Sequence, residues 1–143
     1  MAGKHLEEDA TLAVVRKADL FIQRVTDVLK PHSLSPTQYN VLRILRGAGK
    51  DGASCKDIGS KLIARDPDVT RLMDRLEKRG LLTRDRIKED RRVVVHKLSG
   101  EGLSLVNELD RPIQELHRST MRGIEPAKLQ TLIAILEEIR IED

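Results

Sequence analysis

Arg71, Arg75, Lys78 and Arg79 fall within "IARDPDVTRLMDRLEKRGLL", residues 63–82. On a helix they lie away from the apolar stripe Val69, Leu72, Met73 and Leu76, spaced i, i+3, i+4 and i+7. A guanidinium can bridge O6 and N7 of a guanine with two hydrogen bonds, and an ammonium can neutralise a phosphate. That is the chemistry of duplex DNA recognition. A charge run alone is more often a solvated helix face, so the surrounding sequence has to decide. Arg71 and Arg75, with Thr70 beside them, are the base-reading candidates; Lys78 and Arg79, one turn on, would meet phosphate or only water. Ser54 and Lys56 at the start of the preceding helix, and Asp68 at the start of this one, complete the candidate set on the helices.

A second cluster is "KEDRR", residues 88–92. A solvent turn needs a glycine or an asparagine, not two adjacent arginines beside an aspartate. Asp90, Arg91 and Arg92 are therefore candidates at the tip, and Arg84, Arg86 and Lys88 are candidate phosphate neighbours. Other chemistries find less support. His5, His32, His96 and His117 are scattered without metal-ligand spacing, and are read as surface or hydrogen-bonded side chains. There is no glycine-rich phosphate loop, and no serine or cysteine sits in a recognisable nucleophile motif. The chain reads as a non-enzyme, with no metal and no cofactor.

The elements that must position these residues can be read from caps and periods. Residues 6 to about 30 form a long helical pattern (Leu6, Ala10, Ala13, Val14, Phe21, Val25, Val28) ended by Pro31. In "SLSPTQYNVLRIL", Ser35, Pro36 and Gln38 give a capping box for a second helix ending near Gly47. Ser54 caps a short third helix, Asp66 and Pro67 start the fourth, and Gly80 stops it. The period then changes: "LLTRDRI" and "RVVVHKL" make a two-stranded hairpin. Ser99 caps a fifth helix with Leu103, Val106, Leu109 and Ile113 on one side, and Pro112 predicts a kink or break within it. A last helix begins near Glu125-Pro126 and carries Leu129, Leu132, Ile133, Leu136 and Ile139. Two short helices on a turn followed by a hairpin make a winged helix-turn-helix.

Composition agrees. The net charge of +3 is small, but residues 65–97 hold 11 basic and 7 acidic side chains, whereas residues 98–143 hold 5 and 9. A basic centre beside an acidic helical tail suits a polyanion-binding module joined to something that avoids the polyanion. Phe21 and Tyr39 are the only aromatics, too few for the stacking platforms of single-strand binders, so duplex DNA is the expected partner. No run reaches the ~18 apolar residues of a membrane span and no secretory signal is visible, so no membrane partner and a cytoplasmic location are expected. A single cysteine excludes an intrachain disulfide.

The stretches "QYNVLRIL", "DVTRLMDRLEKRGLLTR" and "EDRRVVVHKLSGEG", with terminal helices on both sides, resemble the multiple antibiotic resistance regulator (MarR) family over nearly the whole chain. The resemblance implies a homodimeric bacterial transcription factor, usually a repressor, with interlocked terminal helices. Many members release DNA when a small phenolic or other apolar effector binds. In the family the aspartate of D-x-R holds the arginine so that its guanidinium enters the minor groove; here those positions are Asp90 and Arg92. Narrow minor grooves concentrate negative potential, which favours an arginine there. Thiol-sensing relatives carry their cysteine near the start of the first helix, where this chain has none. Cys55 follows an N-cap, where helix N–H groups favour a thiolate, but is read as a small half-buried residue.

The expected fold class is mainly α with a small β-hairpin wing (α+β). A single domain would place dimerisation helices at about 1–34 and 99–143 around a DNA-binding lobe at about 35–98. The expected function is a homodimeric repressor of a palindromic operator, released by a small molecule. Two alternatives are a winged-helix protein-interaction module and a ligand-insensitive architectural DNA binder.

Overall fold

The structure is a computed structural model that describes residues 5–87, 89–90 and 92–142. Among the described residues, six α-helices and one hairpin follow in order: α1 (Leu6–Leu29), α2 (Pro36–Ala48), α3 (Cys55–Lys61), α4 (Val69–Lys78), β1 (Leu82–Arg86), β2 (Val94–Leu98), α5 (Gly100–Thr120) and α6 (Pro126–Glu138). Short 3₁₀ turns at Lys30–His32 and Gly49–Asp51 flank α2. Among the described residues, no helix is long and apolar enough to cross a membrane.

Local chemistry sets most boundaries. Ser35 Oγ accepts from the Gln38 amide at 3.1 Å while Gln38 Oε1 accepts from the Ser35 amide at 3.0 Å, the reciprocal capping box expected for α2. Ser54 and Ser99 cap α3 and α5 through the amides of Asp57 and Gly102. The start of α4 differs from expectation. Its N-cap is Asp68, whose Oδ1 accepts from the Arg71 amide at 3.0 Å; Asp66 lies outside the helix, where its own Oδ1 takes the Asp68 amide. Two aspartates two residues apart satisfy the amides of Asp68 and Arg71, and the second one fixes the helix start. At the other end Gly80 adopts φ +74°, with Gly80 N–H bonded to Glu77 O and Leu81 N–H to Leu76 O. That pair is a Schellman stop, which needs the left-handed glycine.

The core gathers Leu29 at the end of α1; Tyr39, Val41, Leu42 and Leu45 of α2; Ile58 of α3; Leu72, Met73 and Leu76 of α4; and Val106, Leu109 and Ile113 of α5. The predicted stripe of α4 is therefore its buried face. Two expectations for α5 fail. The helix runs unbroken through Pro112, because Leu109 and Ile113 on either side are buried, and that packing outweighs the ~3 kcal/mol a mid-helix proline costs. Leu103 stays exposed, while Gly102 meets the end of β1's lead-in: a Cβ there would lie 2.0 Å from Leu81 O. Only glycine permits that approach.

The wing is antiparallel, with Leu82 opposite Leu98, Arg84 opposite His96 and Arg86 opposite Val94. It also carries a partner the sequence did not reveal. Ala53, just before α3, bridges His96 through two backbone bonds of 2.9 and 2.8 Å. This one-residue third strand ties the wing to the start of α3.

A clasp joins α2 to α5. Both terminal guanidinium nitrogens of Arg46 donate to Asp110, at 2.6 and 2.9 Å, and one also donates to Asn107. The hydrogen bonds from Arg46 hold the Asp110 carboxyl below its usual value of 3.8. A depressed folded value means that this contribution is complete above about pH 4 and is lost as pH falls through the folded value. Asp110→Asn should therefore cost ~1–3 kcal/mol of unfolding free energy at pH 7, and the gap to the wild type should narrow by pH 3. Urea titrations at the two pH values check this; a gap that is unchanged at pH 3 contradicts it.

Candidate nucleic-acid interface

The candidate DNA-facing residues that the structure describes lie on α3, α4 and the wing. On α4, Arg71, Arg75 and Lys78 are exposed and spaced i, i+4 and i+7, so their cations form one row opposite Leu72, Met73 and Leu76. Thr70 is exposed on the first turn. Asp68 is committed to capping, which places a carboxylate at the head of the row. Ser54, half-buried, spends its hydroxyl acceptor on the α3 cap, and Lys56 projects beside it, exposed.

Three side chains take roles the sequence did not suggest. Arg79, expected to meet phosphate or water, donates to the backbone carbonyls of Ser33 (2.7 Å) and His32 (2.8 Å). It locks α4 onto the α1–α2 connection, because Gly80 ends the helix just where those unpaired carbonyls lie. Arg84, expected beside phosphate, also has a partner on α4, where Asp74 Oδ1 lies 3.8 Å from its guanidinium. Asp90 was expected to hold the guanidinium of Arg92. Its Oδ1 instead accepts from the Arg92 backbone amide at 3.0 Å, and its carbonyl accepts from the Val93 amide. An aspartate at the first position of a tight turn bonds the amide two residues on more readily than a flexible guanidinium. It shapes the tip and leaves the Arg92 side chain exposed. Arg86 is exposed on β1. Lys88 and Arg91 lie outside the described residues.

His96 is the polar residue that sequence reasoning missed. It is 3 % exposed, directly across the hairpin from Arg84, with Nε2 at 3.5 Å from Cys55 Sγ and Nδ1 without a partner. Burial first, and the Arg84 charge second, push its pKa below the usual 6.5, so the ring stays neutral at physiological pH. The alternation of β2 was a signal for its burial, since His96 occupies the inward position of "VVHKL".

Away from this edge lies the region made by α1, the C-terminal end of α5 and α6. Its apolar side chains are open: Val15 is 57 % exposed, Ile22 56 % and Ile133 57 %, and α6 contains no buried residue. Between α1 and the α5–α6 turn lies a cavity of about 450 Å³ lined by Leu20, Phe21, Met121, Ile124 and Leu132, with Lys17, Arg24 and Thr120 as its polar members. Lys17, Leu20, Phe21 and Arg24 recur at i, i+3, i+4 and i+7 on α1, a pattern visible in the sequence but not distinguishable there from an ordinary packing face.

Comparison with known proteins follows the same division. Residues 34–94, the helix-turn-helix and most of the wing, match the MarR family model. The homoprotocatechuate degradative operon repressor of Escherichia coli is 26 % identical over 133 residues, spanning 93 % of this chain and 88 % of that protein. The crystal structure of a MarR transcription factor from Planctomyces limnophilus is 34 % identical, covers 92 % of this chain and 96 % of that one, and superposes with a TM-score of 0.71. BpsR of Bordetella bronchiseptica, whose DNA binding is regulated by 6-hydroxynicotinic acid, shares the fold across 99 % of this chain and 100 % of its own at a TM-score of 0.84 and 24 % identity. The match at 34 % identity extends over both the winged lobe and the terminal helices, so the chain belongs to the MarR family of winged helix-turn-helix transcriptional regulators.

Proposed function

We propose that the protein acts as a homodimer that represses transcription from an inverted-repeat operator and lets go when a small apolar or phenolic compound binds. The observation that carries this reading is α6, a 13-residue helix with no buried side chain in the single chain. Large contiguous apolar patches are unusual on a soluble monomer. A second copy that covered α6 and the open face of α1 would bury them and set two α4 helices at a fixed separation. Two such helices about 34 Å apart would read successive turns of one face of the duplex.

In this reading Arg71 and Arg75 meet base edges, Lys78, Lys56 and Arg86 meet phosphate, and Arg92 enters the adjacent minor groove. Lys88 and Arg91 join them at the wing tip. The α1/α5/α6 cavity receives the effector. Its apolar walls suit a ring, and Lys17 and Arg24 suit a carboxylate or phenolate on that ring. A ligand there shifts the spacing of the α4 pair only to the extent that it prefers the non-binding geometry. The small aromatic acid that regulates BpsR and the aromatic-degradation operon controlled by the E. coli repressor support this class of compound.

Duplexes selected from a random pool should be inverted repeats with half-sites about one turn apart. On such a duplex Arg92→Ala should bind several-fold more weakly while the protein stays folded and dimeric. Equal affinity of the two proteins at fixed moderate salt would remove the wing from the interface. Recovery of no preferred sequence would favour an architectural DNA binder, and no duplex binding at all would favour a protein-interaction module.

A further inference from the structure

The chain's single cysteine sits in a crevice between α3, α4 and the wing. Cys55, Thr70, Asp74, Arg84, Val94 and His96 enclose a space of about 180 Å³. Cys55 is half-buried at the first position of α3, with its Sγ 3.5 Å from Nε2 of His96. His96 is itself almost wholly buried in the crevice wall, and its Nδ1 is bonded to nothing. Arg84 stands across the strand pair from His96, with Asp74 3.8 Å from its guanidinium. A nucleophile, a base and a cation thus surround one small space.

We propose that this crevice is a covalent modification site, in which Cys55 adds to a small electrophile bearing a conjugated carbonyl, a quinone or an enone. The thiol proton passes to Nε2 of His96, and the sulfur lone pair forms a C–S bond to the carbon β to the carbonyl. The C=C electron pair shifts onto the carbonyl oxygen, giving an enolate beside the Arg84 guanidinium. The imidazolium then returns its proton to the adduct. With a quinone the adduct tautomerises to a hydroquinone thioether, so neither oxidant nor reductant is consumed. A neutral imidazole is the form this step needs, and burial together with Arg84 keeps His96 neutral.

The crevice also lies where an adduct has consequences. Thr70 belongs to the first turn of α4, whereas Val94 and His96 belong to the wing. A ring bonded to Cys55 fills the space between them and separates the two edges that must meet DNA together. This consequence rests on the DNA-binding reading above; the alkylation itself does not.

The test follows the intact mass of the full chain in 1,4-benzoquinone at neutral pH. Native protein should gain one adduct, mapped to Cys55, faster than the same chain unfolded in urea by roughly tenfold or more. Cys55→Ser should gain none over the same exposure. His96→Gln, with its fold checked by circular dichroism, should lower the native rate towards the unfolded one. Arg84→Gln should slow benzoquinone but not 4,4′-dithiodipyridine, a neutral thiol reagent without a carbonyl. A native Cys55 that reacts no faster than the unfolded chain overturns the proposal, and that comparison needs no variant. In a second arm the adduct should weaken binding to a selected duplex several-fold, with quinone-treated Cys55→Ser unaffected. Full affinity of the adduct overturns the regulatory consequence. Failure of the untreated protein to bind duplex DNA would instead count against the DNA-binding reading.

Discussion

Deleting residues 125–143 should convert the protein from a dimer to a monomer and remove its tight binding to an inverted repeat. The deleted segment contains α6, whose side chains contribute nothing to the buried core of the single chain. The winged lobe should therefore stay folded, since its core is drawn from α1 to α5. A point variant separates loss of the interface from loss of the fold. Ile133 is 57 % exposed in one chain, so Ile133→Glu costs the isolated protomer little yet places a charge in the middle of the proposed contact. Each half-site alone lacks the partner's effective concentration, so operator affinity should fall by roughly 10²–10⁴ in either variant. Sedimentation at micromolar concentration checks the premise. The intact protein should run at about twice its 16.2 kDa chain mass and both variants at the chain mass. An intact protein that sediments as a single chain removes the dimer and the spacing mechanism with it.

Arg71→Ala should lose specific affinity while keeping most of its affinity for random duplex. Arg71 is exposed near the start of α4, and its backbone amide is fixed by the Asp68 cap, so its side chain leaves the helix from a defined point. If it bridges a guanine, its removal costs ~1–3 kcal/mol per half-site, or up to about a hundredfold. Lys78→Ala should behave differently. As a phosphate contact it should weaken specific and random duplexes by similar factors and make the salt dependence shallower. Parallel titrations over a range of salt distinguish the two. Equal losses on both duplexes for Arg71→Ala would move that residue from base reading to phosphate binding.

The sequence by itself determined the order and type of the elements, because those depend on neighbours in the chain. The Ser35–Gln38 capping box, the Ser54 and Ser99 caps, the Gly80 stop and the switch to period two after it are all settled within four or five residues. The cationic row on α4 was equally legible, since the same period that buries Leu72, Met73 and Leu76 turns Arg71, Arg75 and Lys78 outward. Tertiary structure alone decided what each charge does once the chain closes on itself. Arg79 reads as one more DNA-facing cation until the carbonyls of His32 and Ser33, more than forty residues earlier, come within hydrogen-bond reach. Pro112 reads as a break until the buried residues around it hold the helix together. Cys55 and His96, forty-one positions apart, become a pair only because Ala53 bridges onto β2. Caps and periods act over one turn of chain, whereas ion pairs, buried imidazoles and clasps are made between segments whose meeting depends on the whole packed core.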